Sequence, residues 1–376
     1  MKKIVCIVMF LCTVLSPFVL SGYDVFAEEN DMSISAKAYV LMDAASGDVL
    51  LESDMNERMS MASTTKIMTA LLALEYHDID KEFTVAPESV HVEGSSMGLL
   101  EGDVVTLRAL SYGMLLKSGN DAANATAYAL AGGIDSFAGI MNAKAKELGM
   151  DSTNFETPSG LDSENHYSTA YDMAILARAA LSNEIFAGIC STQRAEVSYG
   201  NPPYNRWMKN HNRLLSEYEG CIGVKTGFTK KSGRCLVSAA ERDGARLICV
   251  TLSAPDDWND HKKLFDYGFE RYTKVDIDPE IDLIKLPVTG GLSKTVGFYT
   301  DKEMESVLVA NDEVDSIRKV VNLPKFLFAP VESDENIGDV NFYINDNLVA
   351  SYPLYVKNRV ESLPKKSFLD WFKAKF

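Results

Sequence analysis

The spacing of apolar and polar positions divides the chain into stretches of different period. Ala38–Asp43 and Asp48–Ser53 are short β-rich runs flanking Ser46-Gly47, a pattern that predicts a hairpin. From about Ser63 to Glu75 the period becomes helical, with Ile67, Met68, Leu71, Leu72 and Leu74 apolar. Thr106 suits the N-cap of a helix over Leu107 to Leu116, and Asp121 that of a third helix ending at Gly132-Gly133. Ser136–Leu148 is amphipathic, and Thr169 with Asp172 makes a capping box opening Ala170–Leu181. Strand-like runs return at Ile222–Thr226, Arg234–Ala240 and Arg246–Ser253, the last two joined at Asp243-Gly244, and a helix over Asp257–Tyr272 follows. Helices lie mid-chain and strands gather at both ends. The expected α/β (α+β) architecture is an antiparallel sheet whose first and last strands meet, with a helical insertion.

The pattern changes after Lys274. Asp276–Pro279 reads as an acidic linker, and residues 281–360 alternate short β-rich runs with turns, as at Thr295–Tyr299, Ser306–Val309, Val340–Ile344 and Leu348–Leu354. A small all-β domain over 275–363 is expected. From Pro364 the text changes again. On a helix, Phe368, Leu369, Trp371, Phe372 and Phe376 share one face and Lys366, Asp370 and Lys373 the other, so residues 364–376 are expected to form an amphipathic helix on a membrane surface. At the other end, Lys2 and Lys3 precede the apolar run Ile4–Leu15, and Val25-Phe26-Ala27 offers a small-residue cleavage site. That layout predicts a secretory signal over 1–27 and a protein working outside the cytoplasmic membrane, peripheral on its outer face or secreted.

Composition narrows the possibilities. With 46% hydrophobic residues the chain has ample material for a packed core, which excludes a disordered one. A net charge of −16 argues against general nucleic-acid binding, which needs basic surface to displace counterions. Cys6 and Cys12 lie in the expected signal. Cys190, Cys221, Cys235 and Cys249 show no CxxC or His-rich spacing, so no metal site is expected. Free core thiols are the favoured reading, with one disulfide left open for an exported chain.

Three short motifs carry candidate chemistry. In Ser63-Thr64-Thr65-Lys66 the i, i+3 spacing puts serine and lysine on one helix face. A serine at a helix N-terminus sits among free N–H groups, and a desolvated neutral lysine can take its proton. Ser316–Lys319 and Ser362–Lys365 repeat the spacing by chance, so the pair alone is weak. Ser118-Gly119-Asn120 falls between two helices, where side chains can project into a cleft. Lys225-Thr226-Gly227 lies on an expected strand, where glycine permits close approach of a ligand to the backbone. A second lysine near Lys66 would lower its pKa by like-charge repulsion.

Together and in this order, the three motifs resemble those of the penicillin-recognising serine enzymes. Gly94-Ser95-Ser96-Met97, His166-Tyr167-Ser168-Thr169-Ala170 and Gly223-Val224-Lys225-Thr226-Gly227-Phe228-Thr229 narrow the likeness to the serine-type D-Ala-D-Ala carboxypeptidases, the low-molecular-mass penicillin-binding proteins. The resemblance covers roughly residues 36–272. It implies a β-lactamase/transpeptidase-like domain over 28–274, with no cofactor. It also implies attack by Ser63 on the carbonyl between two D-alanines of a peptidoglycan stem peptide, with Lys66 as base and Ser118 as proton relay. By the same resemblance Asn120 holds a substrate amide, Lys225 and Thr226 bind the terminal carboxylate, and the N–H groups of Ser63 and Phe228 next to Gly227 form an oxyanion hole. β-Lactam antibiotics would be covalent inhibitors. His211 stands where some relatives carry an arginine, which leaves its role open.

Other readings remain at this point. A class A β-lactamase would show Ser-Asp-Asn in place of Ser118-Gly119-Asn120 and a deacylating glutamate, for which Glu156 is in the right region. Gly94-Ser95-Ser96-Met97-Gly98 formally matches the nucleophile elbow of α/β-hydrolases, but Glu101-Gly102-Asp103 breaks the helix that motif needs. A wall-binding scaffold that keeps the fold is the non-enzymatic alternative.

Overall fold

The computed structural model describes residues 32–281 and 285–364. The expected signal over 1–27 and residues 365–376 of the expected tail lie outside the described residues. Ala38–Asp43 folds back on Val49–Ser53 as the hairpin pattern predicts. Its other edge pairs antiparallel with Ala245–Leu252, Tyr39 opposite Thr251 and Leu41 opposite Cys249. The first and last strands of the sheet therefore do meet. Gly233–Arg242 and then Cys221–Thr229 extend it to five antiparallel strands, with Cys221–Thr229 at one edge. Leu247, Ile248, Cys249 and Val250 are all fully buried, so both faces of the sheet are covered; the helices Ala170–Ser182 and Asp257–Arg271 pack against it.

Between those strands lies the helical insertion. Lys66–Leu74 is its centre, buried at every position but Leu72, which suits a helix apolar around its circumference. Thr106 caps Leu107–Lys117 through Oγ1, which accepts from Ala109 N at 3.1 Å. Thr169 caps Ala170–Ser182 in the same way, accepting from Asp172 N, but the Asp172 carboxylate does not reach back to close the box. It accepts instead from Ser152 N and Thr153 Oγ1.

Two expectations are corrected, and one element is new. Asp121 is not an N-cap: it lies inside Asn120–Ala131, and its buried carboxylate accepts from Met97 N, Gly98 N and Leu99 N and from Ser96 Oγ. With Ala122 N also on Oδ1, five donors converge on this carboxylate and favour this position over a cap. Asp276 is not linker; it continues the strand Tyr272–Ile277, which pairs with Glu305–Ala310. The hairpin Arg194–Gly200 and Pro203–Lys209 was not expected at all. Its inward positions Val197, Tyr199 and Met208 are buried, and Gly200-Asn201-Pro202-Pro203 makes its turn. Cys190, Cys221, Cys235 and Cys249 are free thiols.

The C-terminal β domain is a six-stranded sheet running from Arg318–Asn322 through Asn336–Ile344, Asn347–Val356, Thr295–Tyr299 and Lys285–Thr289 to Leu327–Phe328. Val340, Phe342, Tyr352, Leu354 and Val356 form its core.

Candidate active site

Ser63 lies in the tight turn Ala62–Thr65, directly before the helix that begins at Lys66. Two glycines press backbone against this turn from opposite sides. A Cβ on Gly227 would stand 3.0 Å from Met61 O and 3.1 Å from Thr64 N, so the edge strand lies flat on the turn. The glycine of the Lys-Thr-Gly motif therefore serves close packing on the Ser63 turn, not only the approach of a ligand. On the other side Gly160, at φ +82°, could carry no Cβ, which would overlap Ala62 O at 1.9 Å. This close approach brings Ser159 to Lys66, whose Nζ donates to Ser159 O at 2.5 Å and lies 2.9 Å from Ser63 Oγ.

Lys66 is fully buried, and burial above all, then the nearby Lys225 charge, lowers its pKa well below the ordinary lysine range; Asp121 opposes this. The two causes act in one direction, with desolvation the larger. A neutral Lys66 amine keeps a lone pair that can face Ser63 Oγ–H while one N–H remains on Ser159 O.

A second serine–lysine pair faces the first motif. Ser118 ends the Leu107–Lys117 helix in the left-handed region at φ 58°, so the chain turns sharply there. Its Oγ accepts from Lys225 Nζ at 3.0 Å, and the same nitrogen donates to Thr226 O at 2.6 Å. Burial lowers the Lys225 pKa to about 7. Ser63, Ser118, Thr226, Gly227 and Phe228 line one cleft of about 310 Å³. Lys66 and Lys225 lie beneath it, bonded to its two serines. A larger groove of about 850 Å³ runs beside it along Gln193, Lys209 and Arg213 and shares His211 with it. The serine–lysine chemistry belongs to the smaller cleft.

Asn120 stands off from the pair. Its N–H donates to Ser95 O and its Nδ2 to Glu93 O at 2.6 Å, so one N–H of the amide holds the Glu93–Ser96 loop and Oδ1 is left to accept from another partner. That loop carries Ser95 to the cleft wall. Ser96, the serine of the apparent nucleophile elbow, donates to Asp121 Oδ2 at 2.6 Å and follows no strand, so that reading falls. Ser316 and Lys319 occupy a turn and the following strand of the β domain, with Lys319 Nζ on Asp278 O and Glu280 O.

Two further side chains shape the site, one of them from the His166-Tyr167-Ser168-Thr169-Ala170 segment. His166, only 2% exposed, takes Glu156 N on Nδ1 and therefore donates from Nε2 to Thr65 Oγ1, bracing the Ser63 turn. Burial lowers its pKa to about 4, so the ring is neutral at neutral pH. The Glu156 carboxylate accepts from Asn165 N on the exposed side of that loop. Arg234 also faces the cleft, held by Asp257.

A family profile described as D-alanyl-D-alanine carboxypeptidase matches residues 24–256, and one described as penicillin-binding protein 5, C-terminal domain, matches residues 280–362. The chain is 30% identical to the D-alanyl-D-alanine carboxypeptidase DacF of Bacillus subtilis, over 92% of this chain and 90% of that one. It is 33% identical to DacC of Escherichia coli, over 88% and 85%. Among solved structures it is similar to penicillin binding protein 5 from Haemophilus influenzae, with TM-score 0.71 and 29% identity, over 88% of this chain and 99% of that one. Its three motifs meet at one cleft, and the profile spans more than half of its length: the protein belongs to the D-alanyl-D-alanine carboxypeptidase family.

Proposed function

We propose that this chain removes the C-terminal D-alanine from peptidoglycan stem peptides ending in D-Ala-D-Ala, through an acyl-enzyme on Ser63. The observation that carries this is a fully buried Lys66 whose Nζ lies 2.9 Å from Ser63 Oγ. Neutral Lys66 takes the hydroxyl proton as Ser63 attacks the carbonyl between the two D-alanines. The Ser63 and Phe228 N–H groups receive the oxyanion. Ser118 relays that proton from Lys66 to the departing D-alanine amine, and Asn120 Oδ1 accepts a substrate amide N–H. Lys225 and Thr226 face the terminal carboxylate, and water then hydrolyses the ester. Covalent penicillin binding is characteristic of the family, and the same attack on a β-lactam would leave an acyl group on Ser63.

The test is D-alanine release from a pentapeptide stem by the wild type beside Ser63→Ala. Release is expected from the wild type and not from the variant; a folded wild type that releases none overturns the reading. The apolar run after Lys2-Lys3 and the aromatic–lysine pattern of 364–376 support export and attachment to the outer face of the cytoplasmic membrane. Deleting residues 364–376 should move the protein from the membrane fraction to the medium, and retention on the membrane would refute the anchor.

A further inference from the structure

A groove larger than the catalytic cleft opens from its leaving-group end. In the proposed attack by Ser63, the departing D-alanine lies toward Lys225 and Thr226. His211 stands at that end. It lines the cleft and the groove alike, and its ring is pushed toward the neutral form by burial and then by the charge of Lys225. Trp258 makes a second junction. It lines the cleft, and the guanidinium of Arg213, a groove residue, lies 5.7 Å from the centre of its ring. The groove spans about 850 Å³ against about 310 Å³ for the cleft. A single departing D-alanine has no use for that space.

The lining indicates what fills it. Arg194 and Lys209 stand directly opposite each other in the hairpin of Arg194–Gly200 and Pro203–Lys209, and both border the groove. Like charges in that register repel. Among the described residues neither side chain has a hydrogen-bond or ion-pair partner. In a chain of net charge −16, two facing cations without an acidic neighbour point to an anion from outside. Glu217, the acid of the lining, is already held by Arg213 and Lys262. Asn212, 4% exposed, belongs to the same lining. Its Oδ1 accepts from Leu214 N, while its Nδ2 has no partner among the described residues. A buried donor without an acceptor is costly, and a carbonyl or carboxylate settling into the groove would satisfy it.

We propose that this groove holds a second stem peptide and that the chain also cuts peptidoglycan cross-links, in which a D-alanine carbonyl is joined to the side-chain amine of a neighbouring stem's diamino acid. The inference rests on acylation of Ser63 as read above and extends the leaving group from one amino acid to a peptide. Ser63 Oγ bonds the carbonyl carbon, and the bond from that carbon to the neighbour's amine nitrogen breaks. The Ser63 proton reaches that nitrogen through Lys66 and Ser118, and water then hydrolyses the ester as it does after D-alanine leaves. The second stem carries free carboxylates of its own, and these meet Arg194 and Lys209.

The experiment compares a cross-linked muropeptide dimer with a monomeric pentapeptide stem, in the wild type and in Arg194→Gln/Lys209→Gln. The wild type is expected to cleave both. The double variant should lose about tenfold in kcat/KM on the dimer, through KM, which is the scale of one hydrogen bond between charged groups. It should trim the pentapeptide as before, which shows that it is folded. A dimer whose second stem has its carboxylates amidated should be cleaved equally by both proteins, at the rate of the variant on the free-acid dimer. The proposal is overturned if the two proteins cleave the free-acid dimer equally, or if the gap between them persists on the amidated one. A wild type that trims the pentapeptide and leaves the dimer intact also overturns it, and the carboxypeptidase reading stands. Cleavage of the dimer without D-alanine release from the pentapeptide does the reverse. A wild type that cleaves neither overturns both.

Discussion

The floor of the cleft and the C-terminal β domain are built on opposite terms. Beneath the cleft, Lys66, Lys225, Asp121, His166 and Asp257 are all nearly inaccessible to solvent. In the β domain Asn341 is the only buried amide or charged side chain among the described residues, and its Oδ1 has no partner. The β domain is held by apolar side chains alternating in and out along its strands, an arrangement that tolerates substitutions of similar volume. Under the cleft each buried polar group depends on a specific partner, and most of those partners are backbone atoms brought close by glycine or by a tight turn. Buried polar groups without partners are costly, so the cleft is the less forgiving region and also the one able to shift a pKa.

The largest break in that contrast is expected from Lys66→Met, which keeps the volume of a buried side chain and removes the proposed base. Labelling of Ser63 by a fluorescent penicillin should slow by on the order of 10³-fold, the range of a lost general base, while the variant stays folded. Labelling within tenfold of the wild type would remove Lys66 from the role of base. In the wild type, labelling should rise with pH as Lys66 loses its proton. Lys225 is the second cause of the lowered Lys66 pKa, so Lys225→Met should move that rise to higher pH.

Acid should separate the two regions next. His166 and His261 are buried and neutral, with pKa values lowered to about 4 and about 3, and the β domain contains no histidine. A histidine whose folded pKa lies below its unfolded value near 6.5 contributes its full stability above that value. It loses it as pH falls toward the folded pKa, because the unfolded chain binds the proton first. Between about pH 6.5 and the folded pKa, His166 should therefore cost the catalytic domain about 3 kcal/mol and His261 about 5 kcal/mol. Hydrogen exchange at a series of pH values should show Leu247–Leu252 losing protection before Val340–Val356. Simultaneous loss, or loss in the β domain first, would refute this difference.

The same contrast explains what could be read in the sequence. Alternation located Thr295–Tyr299 to the residue, and the paired runs 340–344 and 348–354 to within a few residues, because in the β domain pattern and core are the same thing. Ser63 and Lys66 were visible because both lie on one turn of helix. Arg234 and Asp257 were not, since their contact joins a strand to a helix 23 residues later and nothing local marks it. Asp121 differs for a related reason: locally it resembles a cap, and the folded loop Ser96–Leu99 supplies all its donors but the neighbouring Ala122 N. The hairpin over 194–209 carries a local signal too, Gly200-Asn201-Pro202-Pro203 between alternating Val197, Tyr199 and Met208.

The smallest expected effect tests where a locally legible feature meets the cleft. Thr106 caps the helix whose other end is Ser118, so the cap supports the proposed proton relay eleven helical residues away. Thr106→Ala should cost about 1 kcal/mol, the ordinary value of a lost N-cap, and lower the melting temperature by a few degrees. Yet Ser118 is fixed at its own end by the Lys225 Nζ bond and by Gly119 N donating to Gly113 O. Penicillin labelling should therefore stay within about twofold of the wild type, since a lost cap frays only its own end of the helix. A tenfold fall in labelling with so small a loss of stability would mean that the helix transmits its frayed end to Ser118. The cleft would then depend on its scaffold further out than the contacts around Ser63, Lys66 and Lys225 indicate.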